Sequence, residues 1–389
     1  MVTSNNLFME TGKISISKHS EKLCGDHFTV YQDSQKTVVV LSDGLGSGVK
    51  ANILATLTAT ILGTMISRGL PLTECVDTVA GTLPICKVRN LAYATFTILG
   101  IENNQAYLVE YDNPDVIVLR DGKNLHCPTS VRFIGDKELH ERQFDLLEND
   151  IIILMTDGVT NSGIGKLAPN GWKTEEIISF LERIYTPGIS AAFLAASLVN
   201  ACMTLNINSA DDDITSFVVK MKSRLSVNVM IGPPQKKEED SKILRLFFAK
   251  DGKRVVCGGT TASTVSKYLH VPVVPVEDTQ TEEIPAIASI EGIDLVTEGV
   301  ITLKNVVDIC SEFIEDPFIL LNIKKRKDGA ALLALLLIEE ATDINIYFGT
   351  TVNLAHTGIE IDFDAKLTLI KQLAVYMEKM GKKVHLSLC

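Results

Sequence analysis

Four acidic motifs stand beside strand-like runs in this 389-residue sequence. Gly25-Asp26 precedes Phe28 to Tyr31. Ser42-Asp43-Gly44 follows the β-branched run Thr37 to Leu41, and Thr156-Asp157-Gly158 follows the apolar run Ile151 to Met155. Asp211-Asp212-Asp213-Ile214-Thr215 leads into the alternating run Ile214 to Met221. Carboxylates at strand ends can converge on one rim of a sheet, where their mutual repulsion calls for a counter-charge. A divalent cation supplies it, and all-oxygen ligands point to Mg²⁺ or Mn²⁺ rather than zinc. Taken singly, each Asp-Gly pair reads as turn residues. Four acidic motifs in succession, each next to a strand, favour a shared site.

The elements that must position these residues are visible in the spacing of apolar side chains. Thr37 to Leu41 is expected to be a strand buried on both faces. After it, Ala51, Leu54, Ala55, Thr58, Ile61, Leu62 and Met65 recur at three and four, which predicts a helix over 49–67. A second helix is expected over 72–82. Strands follow over 94–101, 105–111 and 115–120, with Asn103-Asn104, Asn113-Pro114 and Asp121-Gly122 as turn signals. Another strand is expected over 150–155, helices over 174–185 and 190–205, and a last strand over 214–221. A domain boundary is placed near Lys222 to Arg224. Beyond it, strand readings over 225–231, 242–248, 254–257, 319–323 and 345–348 alternate with helices over 261–269, 330–340 and 364–380. That alternation predicts an α/β module.

The order Gly-Asp, then Ser-Asp-Gly-Leu-Gly-Ser-Gly opening a long helix, then Thr-Asp-Gly, then Asp-Asp-Ile-Thr resembles the PPM-type metal-dependent protein phosphatases. The bacterial branch similar to the sporulation stage II protein E phosphatase fits best, over about residues 10–222. The resemblance implies an α+β fold: a β-sandwich of two antiparallel sheets between helices (α-β-β-α) over 1–222, followed by a smaller α/β domain over 223–389. It implies hydrolysis of phosphoserine or phosphothreonine by a water activated between two Mn²⁺ or Mg²⁺ ions. Asp43, Asp157 and Asp212 are the implied catalytic residues. Asp43 would bridge both ions, the Gly44 carbonyl would bind the second, Asp157 and Asp212 would hold the first, and Asp26 would serve the second-metal side. The family's ligand lies two positions before the apolar residue that starts the strand, which prefers Asp212 over Asp213, with Asp211 a third candidate. Leu45 stands where eukaryotic relatives carry a His, and Glu21 stands where they carry a phosphate-binding Arg. The general acid and the phosphate-binding residue are therefore unassigned. His27, beside Asp26, is read as structural, with a catalytic role as the alternative.

The helix after Gly48 is Thr-rich and preceded by Gly46-Ser47-Gly48, which suits either a switch that moves the Asp-Gly ligands or simple close packing. In the C-terminal module, Val255 to Ser263 reads as a strand, a Gly-rich turn and a helix start. Two readings stand side by side there. Gly258, Gly259, Thr260 and Thr261 could cradle an anion on free backbone N–H groups, or the turn could be closed by a Thr helix cap. A regulatory or partner-docking role is the expectation for this module.

Composition is that of a globular protein, 46% hydrophobic and 22% charged. The net charge of −11 disfavours a nucleic-acid or anionic-membrane surface, and it argues against a two-metal nuclease. Eight scattered cysteines without a CxxC pair suit reduced thiols in a cytoplasm. No basic-then-apolar leader is read at the start, and the apolar run Gly329 to Ile338 is too short to span a bilayer. The family resemblance implies a phosphoprotein substrate, such as an anti-anti-sigma-like regulator, and a second copy of the chain is the other expected partner. Neither nucleic acid nor membrane is expected. The competing reading is a non-catalytic phosphoprotein-binding scaffold on a phosphatase fold.

Overall fold

The computed structural model describes residues 7–33, 36–82, 85–86, 91–92, 94–135, 137–233, 237–349 and 363–388. The chain divides into two compact units, Met1–Lys222 and Ser223–Cys389.

The first unit opens with β1 (Leu7–Ile16), β2 (Asp26–Gln32) and β3 (Lys36–Gly44), then α1 (Gly48–Ser67) and α2 (Leu72–Thr82). A two-residue pair, β4 (Ile85–Cys86) and β5 (Leu91–Ala92), precedes β6 (Ala94–Glu102) and β7 (Gln105–Tyr111). Next come β8 (Ile117–Arg120), β9 (Lys123–Asn124), β10 (Ser130–Ile134), β11 (Lys137–Asp145) and β12 (Ile151–Met155). The unit closes with α3 (Asp157–Thr160), α4 (Thr174–Ile184), α5 (Ala191–Leu205) and β13 (Ile214–Ser223). The strands form two sheets, β1-β13-β12-β8-β9 and β10-β11-β7-β6-β3-β2. Asn103 and Asn104 both take left-handed φ values at the β6–β7 hairpin, as a tight primed turn requires.

Alternation along each strand sorts the core into layers. Val39, Leu41, Leu99 and Leu108 of one sheet meet Val118, Ile152, Leu154, Phe217 and Val219 of the other in a single buried cluster. The opposite row of the six-stranded sheet, with Val38, Val40, Phe96 and Ile98, packs under Ala59 and Leu62 of α1 and Val76 of α2. Helix α5 packs on β1 beyond the other sheet. The expected α-β-β-α sandwich is present. Helix α1 is long and apolar enough to cross a membrane by length and composition. Its buried stripe, with Ala51, Ala55, Thr58, Ala59 and Leu62, instead packs against β2 and β3 as a core helix does.

The second unit contains β14 (Ser226–Ile231), α6 (Lys237–Ala249), β15 (Lys253–Cys257), α7 (Gly259–Leu269), β16 (Val274–Pro275), β17 (Ala288–Ser289) and β18 (Leu295–Thr297). It continues through α8 (Val300–Glu315), α9 (Leu320–Ile323), α10 (Gly329–Leu335), β19 (Asp343–Phe348), α11 (Phe363–Lys379) and β20 (Lys383–Leu388). The sheet order is β16-β17-β18-β15-β14-β19-β20, with the last five strands parallel. Read along those five, the chain order is 3-2-1-4-5, a doubly wound arrangement. Met230, Val256, Val296 and Tyr347 form one row under α6 and α7. The alternate row, Val229, Val255, Leu295 and Ile346, is buried as well; α8 packs against β15, α10 and α11 in a second helical group.

Two strand readings are corrected here. Residues 242–248 belong to helix α6, because Ile243, Leu244 and Phe247 are buried together while Arg245 and Leu246 point outward, a helical and not an alternating pattern. Residues 319–323 are helical too, a 3₁₀ turn over Pro317–Ile319 running into α9, started by the Asp316 side chain accepting from Phe318 N–H. The short apolar run there carried no period to separate strand from helix.

Candidate active site

The register of β2 on β3 sets the first two carboxylates side by side. Asp26 lies opposite Asp43, and the next pair inward, Phe28 with Leu41, faces the sandwich interior. Asp26 and Asp43 therefore point between the sheets at one end of the core. His27 pairs with Ser42 on the other face, where the Ser42 hydroxyl donates to Thr95 O. That places the His27 ring away from Asp26, in keeping with a structural role. Burial lowers its pKa.

From the opposite sheet, β12 ends at Met155 and delivers Asp157 as the first residue of α3. Thr156 is fully buried, and its hydroxyl donates to Asp26 Oδ2 at 2.8 Å while accepting from Thr215 N–H at 3.0 Å. This one hydroxyl ties together the ends of β2, β12 and β13. Asp212 and Asp213 occupy the turn into β13 and diverge. Asp213 is buried, with Oδ1 accepting from Lys18 N–H at 3.0 Å. Asp212 accepts from Asp213 N–H and is more exposed. Asp211 turns outward to pair with Lys166.

Neither Gly44 nor Gly158 is a turn glycine, because neither has a positive φ. Close approach of backbone explains both. A Cβ on Gly44 would lie 2.0 Å from the Ala51 carbonyl oxygen of α1, and one on Gly158 would lie 1.9 Å from Asp213 O. Each Asp-Gly pair is thus a carboxylate followed by a point where another segment crosses. Gly46 and Gly48 do have positive φ, and Gly48 packs against Glu21, which accepts from the Ser47 hydroxyl.

The electrostatics of the cluster are those of crowded like charges. Burial, then the charges of Asp26 and Asp157, raise the Asp43 pKa far above the ordinary carboxylate range. Asp43 and Asp157 also lie in hydrogen-bonding reach of each other. Asp26 is raised by burial, against the Thr215 and Thr156 hydrogen bonds, and Asp212 is raised by burial and by Asp157. Asp26 Oδ1 and Asp213 Oδ2 are buried without a hydrogen-bond partner. Among the described residues no three side chains close into a ready-made metal cage. The donors nevertheless fit a hard divalent cation: they are carboxylate oxygens, desolvated, mutually repelling, and partly without protein partners.

Asn113 was legible only as a turn residue. Its amide accepts from the Thr95 hydroxyl and donates to Thr97 Oγ1, and Thr95 lies opposite Asp43 in the register. This clamps the β7–β8 loop against the site. The loop and β11 line a cavity of about 510 Å³ that reaches Asp157 and carries Glu110, Asp112, Asp115 and Glu138. Buried Glu110 is paired with Arg142 at 2.7 Å.

Residues 33–222 match the family model described as Stage II sporulation protein E (SpoIIE). No curated protein matches the chain. Among solved structures, the phosphatase domain of SpoIIE from Bacillus subtilis is 15% identical, covering 56% of this chain and 94% of its own, with a TM-score of 0.44. RsbX in complex with magnesium is 18% identical, covering 57% and 99%, with a TM-score of 0.41. The S. agalactiae serine/threonine phosphatase is 16% identical, covering 55% and 99%, with a TM-score of 0.39. With its sandwich and its ordered acidic motifs, the N-terminal unit of this chain is a SpoIIE-like phosphatase domain of the PPM type.

Proposed function

We propose that this domain hydrolyses phosphoserine or phosphothreonine on a regulatory phosphoprotein, with Asp26, Asp43, the Gly44 carbonyl, Asp157 and Asp212 holding two Mn²⁺ or Mg²⁺ ions. The observation that carries the reading is the convergence of Asp26 and Asp43 from one sheet with Asp157 and Asp212 from the other. Such ions, when bound, supply Lewis acidity: they lower the pKa of water and offset charge on phosphoryl oxygens.

The chain's own residues do the positioning. Asp43 sits centrally, within the field of Asp26, Asp157 and Asp212. Thr156 fixes which oxygen of Asp26 remains available, since Oδ2 is taken and Oδ1 is unpartnered. Asp213 holds the loop by its bond to Lys18 N–H, which leaves Asp212 to face Asp157. His27 points to the wrong face to act as a general acid, so the leaving alkoxide takes its proton from solvent. The substrate is a phosphoprotein of the anti-anti-sigma-like kind, and the acidic cavity beside Asp157 favours basic residues flanking the phosphorylated side chain.

The test is phosphate release from a phosphoserine peptide by the full chain and by Asp43→Asn and Asp157→Asn. Activity in the wild type that disappears in both variants supports the assignment. Activity surviving both removes these carboxylates from the mechanism, and an inactive but peptide-binding wild type supports the scaffold reading.

A further inference from the structure

The doubly wound sheet of the second unit presents a second polar centre at the carboxyl ends of β15 and β18. Helices α7 and α8 start there, from neighbouring strands. Each begins at a glycine, Gly258 and Gly299, and neither N-terminus has a side-chain cap. The Thr cap, one of the two sequence readings of this turn, is therefore absent, and α7 begins at Gly259 rather than Thr261. The two turns touch: a Cβ on Gly299 would lie 3.4 Å from the Gly258 Cα. At Gly259 a Cβ would meet nothing within 4 Å, so the turn is open on that side. Gly258 has φ +108°, a conformation that glycine adopts without strain.

The same spacing repeats in both helices, glycine cap followed by threonine at the third helical position: Gly258-Gly259-Thr260-Thr261 and Gly299-Val300-Ile301-Thr302. Thr261 and Thr302 are each 1% exposed, and both hydroxyls lack a hydrogen-bond partner. Side chains on a helix lean toward its N-terminus. In keeping with this, Thr261 Oγ1 lies 3.3 Å from where a Cβ of Gly258 would stand, directed at the turn. Orphaned buried hydroxyls are uncommon and unfavourable, and here two occur at paired positions beside two uncapped helix starts. Glu298, next to Gly299, has a buried Oε2 that also lacks a partner.

We propose that this edge binds a phosphorylated small molecule that also carries hydroxyl groups. The phosphate would accept from the N–H groups at the starts of α7 and α8 and from the Thr261 and Thr302 hydroxyls. A ligand hydroxyl would donate to Glu298 Oε2; a bare anion would leave that carboxylate unpaired and repelling. The site lies at the carboxyl ends of the parallel strands, one strand removed from the switch point between β14 and β19.

Isothermal titration of the full chain in EDTA, with ribose 5-phosphate and with ADP as probes, tests the site. EDTA removes divalent ions from the phosphatase domain, and Asp43→Asn controls for probe binding there. Saturable binding is expected with at least one probe, unchanged in Asp43→Asn. Near-isosteric Thr261→Val and Thr302→Val should each weaken it at least tenfold, and Glu298→Gln should weaken it more for these probes than for inorganic phosphate. No binding of either probe at millimolar concentration would overturn the proposal. So would valine variants that melt higher than wild type yet bind equally well, the behaviour of hydroxyls that are merely buried.

Discussion

Thr156 is the residue through which three strands hold one carboxylate, so its loss should be felt at the site before it is felt in the fold. Thr156→Val keeps the shape and removes the 2.8 Å bond to Asp26. The expected outcome is a loss of about 10- to 100-fold in Mn²⁺ affinity, the range for residues that orient a metal ligand, read by titration alongside an unchanged circular dichroism spectrum. The raised pKa values give a second prediction. A carboxylate whose folded pKa lies above its unfolded value contributes stability that is present at low pH and lost as pH rises through the folded pKa. Asp26, Asp43 and Asp212 are all shifted that way. In EDTA the melting temperature of the domain should therefore fall as pH is raised above the ordinary carboxylate range, and added Mn²⁺ should restore more at pH 8 than at pH 6. A melting temperature that rises over that interval contradicts the crowded-carboxylate picture. The acidic motifs were legible because each adjoins an apolar run. Thr156 and Asn113 were not, since a hydroxyl or amide carries no signal in sequence for a partner on another strand, whether 130 residues away, as Asp26 is from Thr156, or 18 and 16 away, as Thr95 and Thr97 are from Asn113.

At the scale of elements, α1 crosses β3 so closely that the first Asp-Gly pair cannot accept a side chain at its second position. Gly44→Ala places a Cβ against the Ala51 carbonyl and should destabilise the domain by about 3 kcal/mol, measured by denaturant unfolding. Gly46→Ala and Gly48→Ala are strained by positive φ. Either variant therefore tests backbone conformation as much as any movement of α1, and loss of stability is expected with loss of activity. The β7–β8 loop, held by Asn113, brings Asp112 and Asp115 to the cavity beside Asp157. Phosphopeptides with Lys or Arg flanks should be preferred by about three- to fivefold, the scale of an exposed ion pair, and the preference should shrink at high salt. Equal rates for acidic and basic flanks would remove the cavity from substrate choice. In the first unit the elements with a strong period of two or 3.6 were readable, whereas β1, β10 and β11, each only partly buried, went unread. In the second unit α8 and the strands β16, β17, β18 and β20 went unread, and residues 242–248 and 319–323 were misread, because short apolar runs next to charged residues fit either period.

The molecule as a whole joins an antiparallel sandwich to a parallel, doubly wound sheet at Lys222–Ser223. The α/β module followed from the alternation of elements and the sandwich from the resemblance carried by the acidic motifs, whereas the convergence of polar groups within each is a property of register and crossing that no single segment displays. A chain ending at Lys222 keeps every carboxylate of the site and the whole sandwich core. It is expected to retain hydrolysis of a small phosphoserine peptide, with any change confined to regulation or to recognition of a larger substrate. The thiols Cys24, Cys75, Cys127, Cys202, Cys257 and Cys310 are free; Cys24 lies beside Asp26 and Asp213, whose charges add to burial in raising its pKa, so in a Cys24→Ser background alkylation of accessible Cys127 should leave the rate unchanged. The most direct measurement of the central claim is phosphate release from a phosphoserine peptide by the full chain, in EDTA and after Mn²⁺ is restored, with Asp43→Asn beside it. The account predicts release only with Mn²⁺ and only in the wild type. Equal release in EDTA, or release by Asp43→Asn at the wild-type rate, would contradict it.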